Sequence, residues 1–374
     1  MNLEPLMEVF GEDATLALGG LAVGILFGVF AQRSRFCLRA AVIEFRRMNF
    51  GRKLAVWLLA FASALAGTQA LVLAGLLETG DVRQLATTGS LSGAAIGGLM
   101  FGAGMILARG CASRLLVLSA NGNLRALLSG LIFAVTAQAA WTGALAPARE
   151  ALTGLWLVEG GPSRDLLAIT GIGHAGGLAF ALVWLAAGLY FAARSRLELR
   201  GLFGGIGVGL AIAAGWFFTY QAGTQAFDLV ETKSVTFSGP SAETLMYVLD
   251  RARSPFDFDI ALVVGVFLGS FVAAWLGREL KLEGFRDARS MRRYIGGAVL
   301  MGFGAMLAGG CAVGAGVTGG SVFAITAWVT LFGIWIAAAA TDWALERFGT
   351  GDAFPEPSRT PGFPAPPVPL VPAE

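Results

Sequence analysis

Residues 102–112 read Gly-Ala-Gly-Met-Ile-Leu-Ala-Arg-Gly-Cys-Ala, and residues 302–312 read Gly-Phe-Gly-Ala-Met-Leu-Ala-Gly-Gly-Cys-Ala. Gly102, Gly104, Leu107, Ala108, Gly110, Cys111 and Ala112 recur at an offset of 200 residues as Gly302, Gly304, Leu307, Ala308, Gly310, Cys311 and Ala312. A looser copy starts at Gly28 and ends at Cys37, again with glycine nine residues before cysteine. The chain has 3 cysteines, and each one closes a copy.

The stretches around these copies are apolar. Of 374 residues, 56% are hydrophobic and 14% charged, against roughly 25% charged in a soluble globular domain. Composition therefore points to a polytopic, all-α membrane protein. The 53 glycines fit close helix packing in a bilayer. A net charge of +2 gives no footprint for nucleic acid. An odd number of cysteines inside apolar stretches argues against a disulfide framework. The first residues, Met1 to Asp13, are acidic and lack the basic start of a cleaved leader.

A transmembrane helix needs about 20 apolar residues. Nine spans are expected, at 15–31, 54–77, 92–108, 124–145, 168–192, 203–221, 259–277, 294–308 and 321–342. Lys and Arg gather in alternate loops: 32–53, around Arg109, Arg114 and Arg125, at Arg194, Arg196 and Arg200, and at 278–293. The remaining loops, 78–91, 146–165 and 222–258, are neutral or acidic. The positive-inside bias then sets the N-terminus outside and the C-terminus in the cytoplasm. On this topology the helix leading to Cys111 runs inward and the helix leading to Cys311 runs outward. One motif entering from opposite faces is the sign of an inverted repeat with its site near the midplane. The expected halves are 1–200 and 201–345, followed by a Pro-rich cytoplasmic tail over 346–374. In the sixth span, Gly205 and Gly209 match Gly24 and Gly28, which puts Phe218 where a fourth cysteine would fall. The segment Ser234 to Pro240, in the loop 222–258, has no evident place.

The Gly-Cys-Ala points read as helix breaks, since paired glycines weaken a helix. Irregular backbone at membrane depth is tolerated where it lines a cavity, and a half-helix starting there presents free N–H groups to an anion. A buried thiol remote from cations stays neutral; it offers a weak S–H donor and a soft sulfur. Cys37, Cys111 and Cys311, with Gly110 and Gly310 beside them and Arg109 as an anion guide, would suit an anion with an exposed sulfur atom. A hard oxyanion is better served by arginine or backbone N–H alone. His174, the only histidine, reads as a packing residue. No Gly-Lys-Ser phosphate loop and no metal-ligand cluster is evident, so neither a cofactor nor a metal is expected. Two other uses of the thiols stay open: a membrane-embedded sulfurtransferase, which needs a reactive thiolate, and a soft-metal transporter.

Gln32-Arg33-Ser34-Arg35-Phe36-Cys37, Ala108-Arg109-Gly110-Cys111-Ala112-Ser113-Arg114 and Ala308-Gly309-Gly310-Cys311-Ala312 resemble the three signatures of the YeeE/YedE family of bacterial sulfur-transport membrane proteins. Gly205 to Trp216 and Ser234 to Pro240 fit the same pattern, and the resemblance covers most of 15–342. It implies a non-enzymatic inner-membrane permease or channel with nine spans in two inverted halves. It further implies that Cys37, Cys111 and Cys311 pass thiosulfate inward through transient S–H···S contacts, with a small TusA-like sulfur carrier as a cytoplasmic partner. Arg109 stands where many members have glycine, so a selenium or other sulfur compound is the alternative substrate.

Overall fold

Ser90 stops an extended segment and starts the helix that leads to Cys111: its hydroxyl accepts from the Gly93 N–H at 2.8 Å, an N-cap that satisfies one orphan donor. Asn123 caps the following helix in the same way, accepting from the Ala126 N–H at 2.9 Å. Asp257 accepts from the Asp259 and Ile260 N–H groups at a third start. The computed structural model describes residues 3–250, 256–284 and 288–348; the tail from 349 on lies outside the described residues.

Thirteen helices carry the architecture: α1 (Glu12–Ser34), α2 (Leu38–Arg46), α3 (Arg52–Leu73), α4 (Leu91–Leu107), α5 (Ala112–Ala120), α6 (Leu124–Trp141), α7 (Gly173–Arg194), α8 (Leu199–Gly223), α9 (Ser238–Leu249), α10 (Phe258–Leu276), α11 (Ala288–Leu307), α12 (Ala312–Thr318) and α13 (Ile325–Phe348). Among the described residues 8 helical stretches are long and apolar enough to cross a membrane, or 9 with the bent pair Met291–Leu307 and Ala312–Ser321. The chain is an all-α multi-pass membrane protein, as its composition predicts. Strand structure among the described residues is slight: β1 (Gly89–Ser90) pairs antiparallel with β2 (Leu157–Val158). Span ends differ from expectation by a few residues where glycine intervenes. The helix expected to run to 77 stops at Leu73, before Gly75 at φ 69°.

Helix contacts come in matched pairs. α1 packs on α10 and α8 on α3; α4 packs on α13 and α11 on α6; α5 packs on α10 and α12 on α3. α1 also meets α8, and α4 meets α11. Exchanging α1–α6 for α8–α13 thus returns the same set of contacts, with α7 lying against α3 outside the exchange. The α4–α11 crossing is made backbone to backbone. A Cβ on Gly97 would stand 2.5 Å from the Gly304 carbonyl oxygen, and one on Gly104 would stand 2.5 Å from that of Gly297. With no side chain between them, the two broken helices meet at the closest approach small residues permit.

Candidate permeation site at the helix breaks

The three cysteines occupy one backbone motif used three times. Each preceding helix ends in a left-handed residue, Arg35 at φ 54°, Arg109 at φ 61° and Gly309 at φ 74°, two positions before the cysteine. Each turn closes with a bond back to the fifth residue upstream: Phe36 N–H to the Ala31 carbonyl at 3.1 Å, Gly110 to Met105 at 3.1 Å and Gly310 to Ala305 at 2.8 Å. This is a Schellman stop, which ties off the last carbonyls of a helix. Cys37, Cys111 and Cys311 then sit extended at the N-caps of α2, α5 and α12. Gly310 is required by close approach, since a Cβ there would lie 2.5 Å from the Ala315 nitrogen. At Gly110 the nearest atom is the end of the Leu115 side chain, at 3.3 Å. The short helix after Cys311 is also wider than its counterparts: Gly316 N–H reaches back five residues to the Cys311 carbonyl at 3.4 Å, a π-type turn of the sort often found at functional sites.

A fourth break exists, but not where the glycine register sets it. Phe218 lies inside continuous α8, stacked on Phe258 at 6.2 Å. The residue at the N-cap of α9, equivalent to the cysteines, is Phe237, fully buried. The segment leading to it is threaded through the interior, which places the stretch Ser234 to Pro240 that the sequence leaves unassigned. Ser234 Oγ donates to the Ile212 carbonyl at 2.6 Å, and Thr318 Oγ1 donates to the Val235 carbonyl at 2.6 Å. The Phe237 ring lies 5.3 Å from Phe27, whose ring is 6.4 Å from Phe36, beside Cys37.

The breaks bring the sulfurs together. Cys111 lies within electrostatic reach of both Cys37 and Cys311. Cys111 and Cys311 are buried at 1% exposure, and Cys37 is half-buried. All three are free. Cys111 Sγ is 3.4 Å from Ser113 Oγ, and Cys311 Sγ accepts from the Gly314 N–H at 3.4 Å. The Phe237 backbone stands beside the Cys311 sulfur.

Of the expected site residues, Cys37, Cys111, Cys311, Gly110 and Gly310 share this region. Arg109 Nη1 reaches the Tyr294 hydroxyl on α11 at 3.5 Å, with Arg125 over the same ring at 5.0 Å. Among the cations near the thiols, Arg114 faces Cys37 and Cys111 and its buried Nη1 makes no hydrogen bond among the described residues, and Arg39 stands within electrostatic reach of Cys37. Lys53 and Arg35 stand in the same neighbourhood. In the sequence Arg35 and Arg114 fall inside the first two cysteine signatures, Arg35 flanking its break, while Lys53 is only a loop charge; the i+3 step from Cys111 to Arg114 on α5 is the signal that singles out Arg114.

Other polar groups are already engaged. His174 Nδ1 is 3.0 Å from Gln69 Oε1, and Gln69 Nε2 donates to the Ser321 carbonyl at 2.8 Å, which fits a packing histidine. Asp342, at 1% exposure, pairs with Arg46 at 2.7 Å. Glu243, Asp257 and Asp259 bring carboxylate oxygens within 4.8 Å of one another, but Lys233 Nζ already holds Asp259 at 2.5 Å and Asp257 at 3.5 Å. Burial, reinforced by the two aspartates, pushes the Glu243 carboxyl up to about 7.

Three free thiols at matched breaks inside a multi-pass helical membrane protein make up the candidate site. The sulphur transport family matches residues 33–340, and the chain belongs to it. The chain is similar to the thiosulfate transporter TsuA of Escherichia coli (strain K12), 26% identical over 364 residues that cover 87% of this chain and 94% of that protein. It is also similar to the thiosulfate transporter TsuA of Spirochaeta thermophila, 28% identical over 88% of this chain and 98% of the relative.

Proposed function

We propose that the protein is an inner-membrane permease or channel that takes up thiosulfate through a path of neutral thiols. The observation that carries the reading is the repetition of one break at Cys37, Cys111 and Cys311, each at the N-cap of a helix that follows a Schellman stop. A soft terminal sulfur is matched by polarisable S–H groups, while the oxygens of the same ion can take a hydrogen bond from Arg114, whose buried Nη1 makes none among the described residues. The names of the two relatives support the same substrate. The matched packing of α1–α6 and α8–α13 supports two inverted halves, over 1–200 and 201–345. Loop charge supports an outside N-terminus and a cytoplasmic C-terminus. The ion would then meet Cys311 first and leave past Cys111 and Cys37, toward the face bearing Arg35, Lys53 and Arg114. That basic face is where a TusA-like carrier would receive sulfur.

The test is uptake of labelled thiosulfate into proteoliposomes, with selenite as a competitor to probe the alternative substrate. Replacing any one of the three cysteines by alanine should reduce uptake at least about tenfold, the loss expected when one preorganised contact worth 1–2 kcal/mol is removed from a path. Mass spectrometry during turnover should find no sulfur adduct on any thiol. If all three alanine variants transport like the parent, the thiol path is wrong.

A further inference from the structure

α1 and α8 run antiparallel along one seam, the end of α1 against the start of α8. A Cβ on Gly204 would stand 2.8 Å from the Ser34 Cβ, and one on Gly207 would stand 2.5 Å from the Phe30 ring. Small residues close the seam there. Gly204 also borders a groove of about 460 Å³ that opens between the same two helices. Val29, Phe30, Leu199 and Phe203 give it an apolar wall, and Arg33 and Arg200 give it charge. Arg33 lies in the last turn of α1 and Arg200 in the first turn of α8, so the charge sits at the span ends, with Val29, Phe30 and Phe203 further into the spans.

Among the described residues neither arginine forms a hydrogen bond or an ion pair, and no carboxylate lines the groove. Glu198, the acid nearest Arg200 in the sequence, is paired with Arg52 at 3.5 Å. Glu198 is also the N-cap of α8 and gives it no side-chain cap, so the first N–H groups of that helix add to the positive field. The apolar wall is equally open, with Leu199 and Phe203 69% and 64% exposed. Two like charges bordering one groove repel unless an anion lies between them. A free oxyanion would use the arginines and leave the wall bare; a neutral lipid would do the reverse. A single molecule that uses both carries acyl chains and a phosphate.

We infer that this groove is a binding site for an anionic phospholipid, whose phosphate is held between Arg33 and Arg200 while an acyl chain lies along Val29, Phe30, Leu199 and Phe203. Guanidinium is the side chain best matched to phosphate oxygens, and basic pockets between transmembrane helices are the general setting for such headgroups. α1 and α8 exchange with each other in the matched packing of the fold. The lipid therefore bridges the two matched sets of helices, four residues from Cys37. This holds whichever ion the protein carries.

The experiment is native mass spectrometry of the full-length protein in detergent, titrated with phosphatidylglycerol or with phosphatidylcholine of the same acyl chains. The phosphatidylglycerol titration is repeated in the presence of inorganic phosphate. One phosphatidylglycerol should bind in preference to phosphatidylcholine, and phosphate should not displace it. Arg33→Gln/Arg200→Gln should weaken phosphatidylglycerol about thirtyfold, about fivefold for each charge lost, and leave phosphatidylcholine unchanged. Arg196→Gln/Arg278→Gln removes as much charge from exposed positions outside the groove and should bind within about twofold of the parent. Should the Arg33→Gln/Arg200→Gln protein fail to assemble by gel filtration, Arg200→Gln alone decides, with about a fivefold loss expected. No preference for phosphatidylglycerol in the parent, or unchanged affinity in the assembled groove variant, overturns the site. So does an equal loss in the Arg196→Gln/Arg278→Gln protein, which would mark general attraction to charge, or displacement by phosphate, which would mark a free-anion site.

Discussion

Three of the helix breaks carry a thiol and the fourth carries a phenyl ring. The cysteine breaks are short, three or four residues between helices, whereas α8 and α9 are separated by the long stretch from Thr224 to Phe237. That stretch is buried along its second part and hydrogen-bonded to α8 and α12. Its end sets Phe237 against Phe27 and next to the Cys311 sulfur. The contrast teaches that the packing of a repeated helix pair can recur while the turn and its chemistry do not: α8 ends in a right-handed residue and Phe237 is not extended. Three positions carry a thiol; the fourth carries a ring that fills space beside Cys311, and on the proposed reading it would narrow the path the thiols line.

The largest expected effect comes from emptying that fourth position. Phe237→Ala removes a fully buried ring and should cost about 3–5 kcal/mol of stability, read as a lowered melting midpoint in detergent. If the protein still assembles, uptake should lose its preference for thiosulfate over sulfate. Unchanged selectivity in a folded variant would mean that the ring does not border the path.

The next effect compares two thiol breaks with each other. Gly310→Ala drives a methyl into the Ala315 backbone, while Gly110→Ala meets only a movable leucine end. Overpacking against backbone should cost Gly310→Ala about 1–3 kcal/mol and most of its uptake, with Gly110→Ala nearly neutral. Equal effects at both positions would show that the breaks are interchangeable in packing as well as in turn type.

The smallest effect lies behind the aromatic break, at Glu243 on α9. Its folded carboxyl is raised from 4.5 to about 7, so the folded state holds a proton the unfolded chain has released. Stability from this group is therefore present below about pH 4.5 and is lost as pH rises through about 7. The melting midpoint should fall between pH 5 and 8 by an amount of order 1 kcal/mol after solvent screening. Glu243→Gln should flatten that slope; an unaltered slope would assign it to other groups.

Much of this was legible before any coordinates. The echo of 102–112 in 302–312 marks both breaks, and the turn geometry explains why: the residue two before cysteine must be left-handed, which glycine does freely at 309 and arginine does under strain at 109. The Arg109 side chain reaches Tyr294 on α11, a contact across 185 residues that residue spacing does not reveal. Phe237 was hidden because the fourth break is reached through an inserted extended segment, so counting from Gly209 lands on Phe218 within a helix.

The glycine crossing of α4 and α11 acts as a ruler. Cys111 and Cys311 leave from opposite ends of two helices seated backbone on backbone at Gly97, Gly104, Gly297 and Gly304. The rise from one cysteine backbone to the other is thus measured out by main chain, leaving only the cysteines' own χ1 rotamers to adjust the sulfurs. A slip by one helical turn would carry the thiols apart by about 5.4 Å, and every one of the four glycine seats would have to be vacated for that to happen.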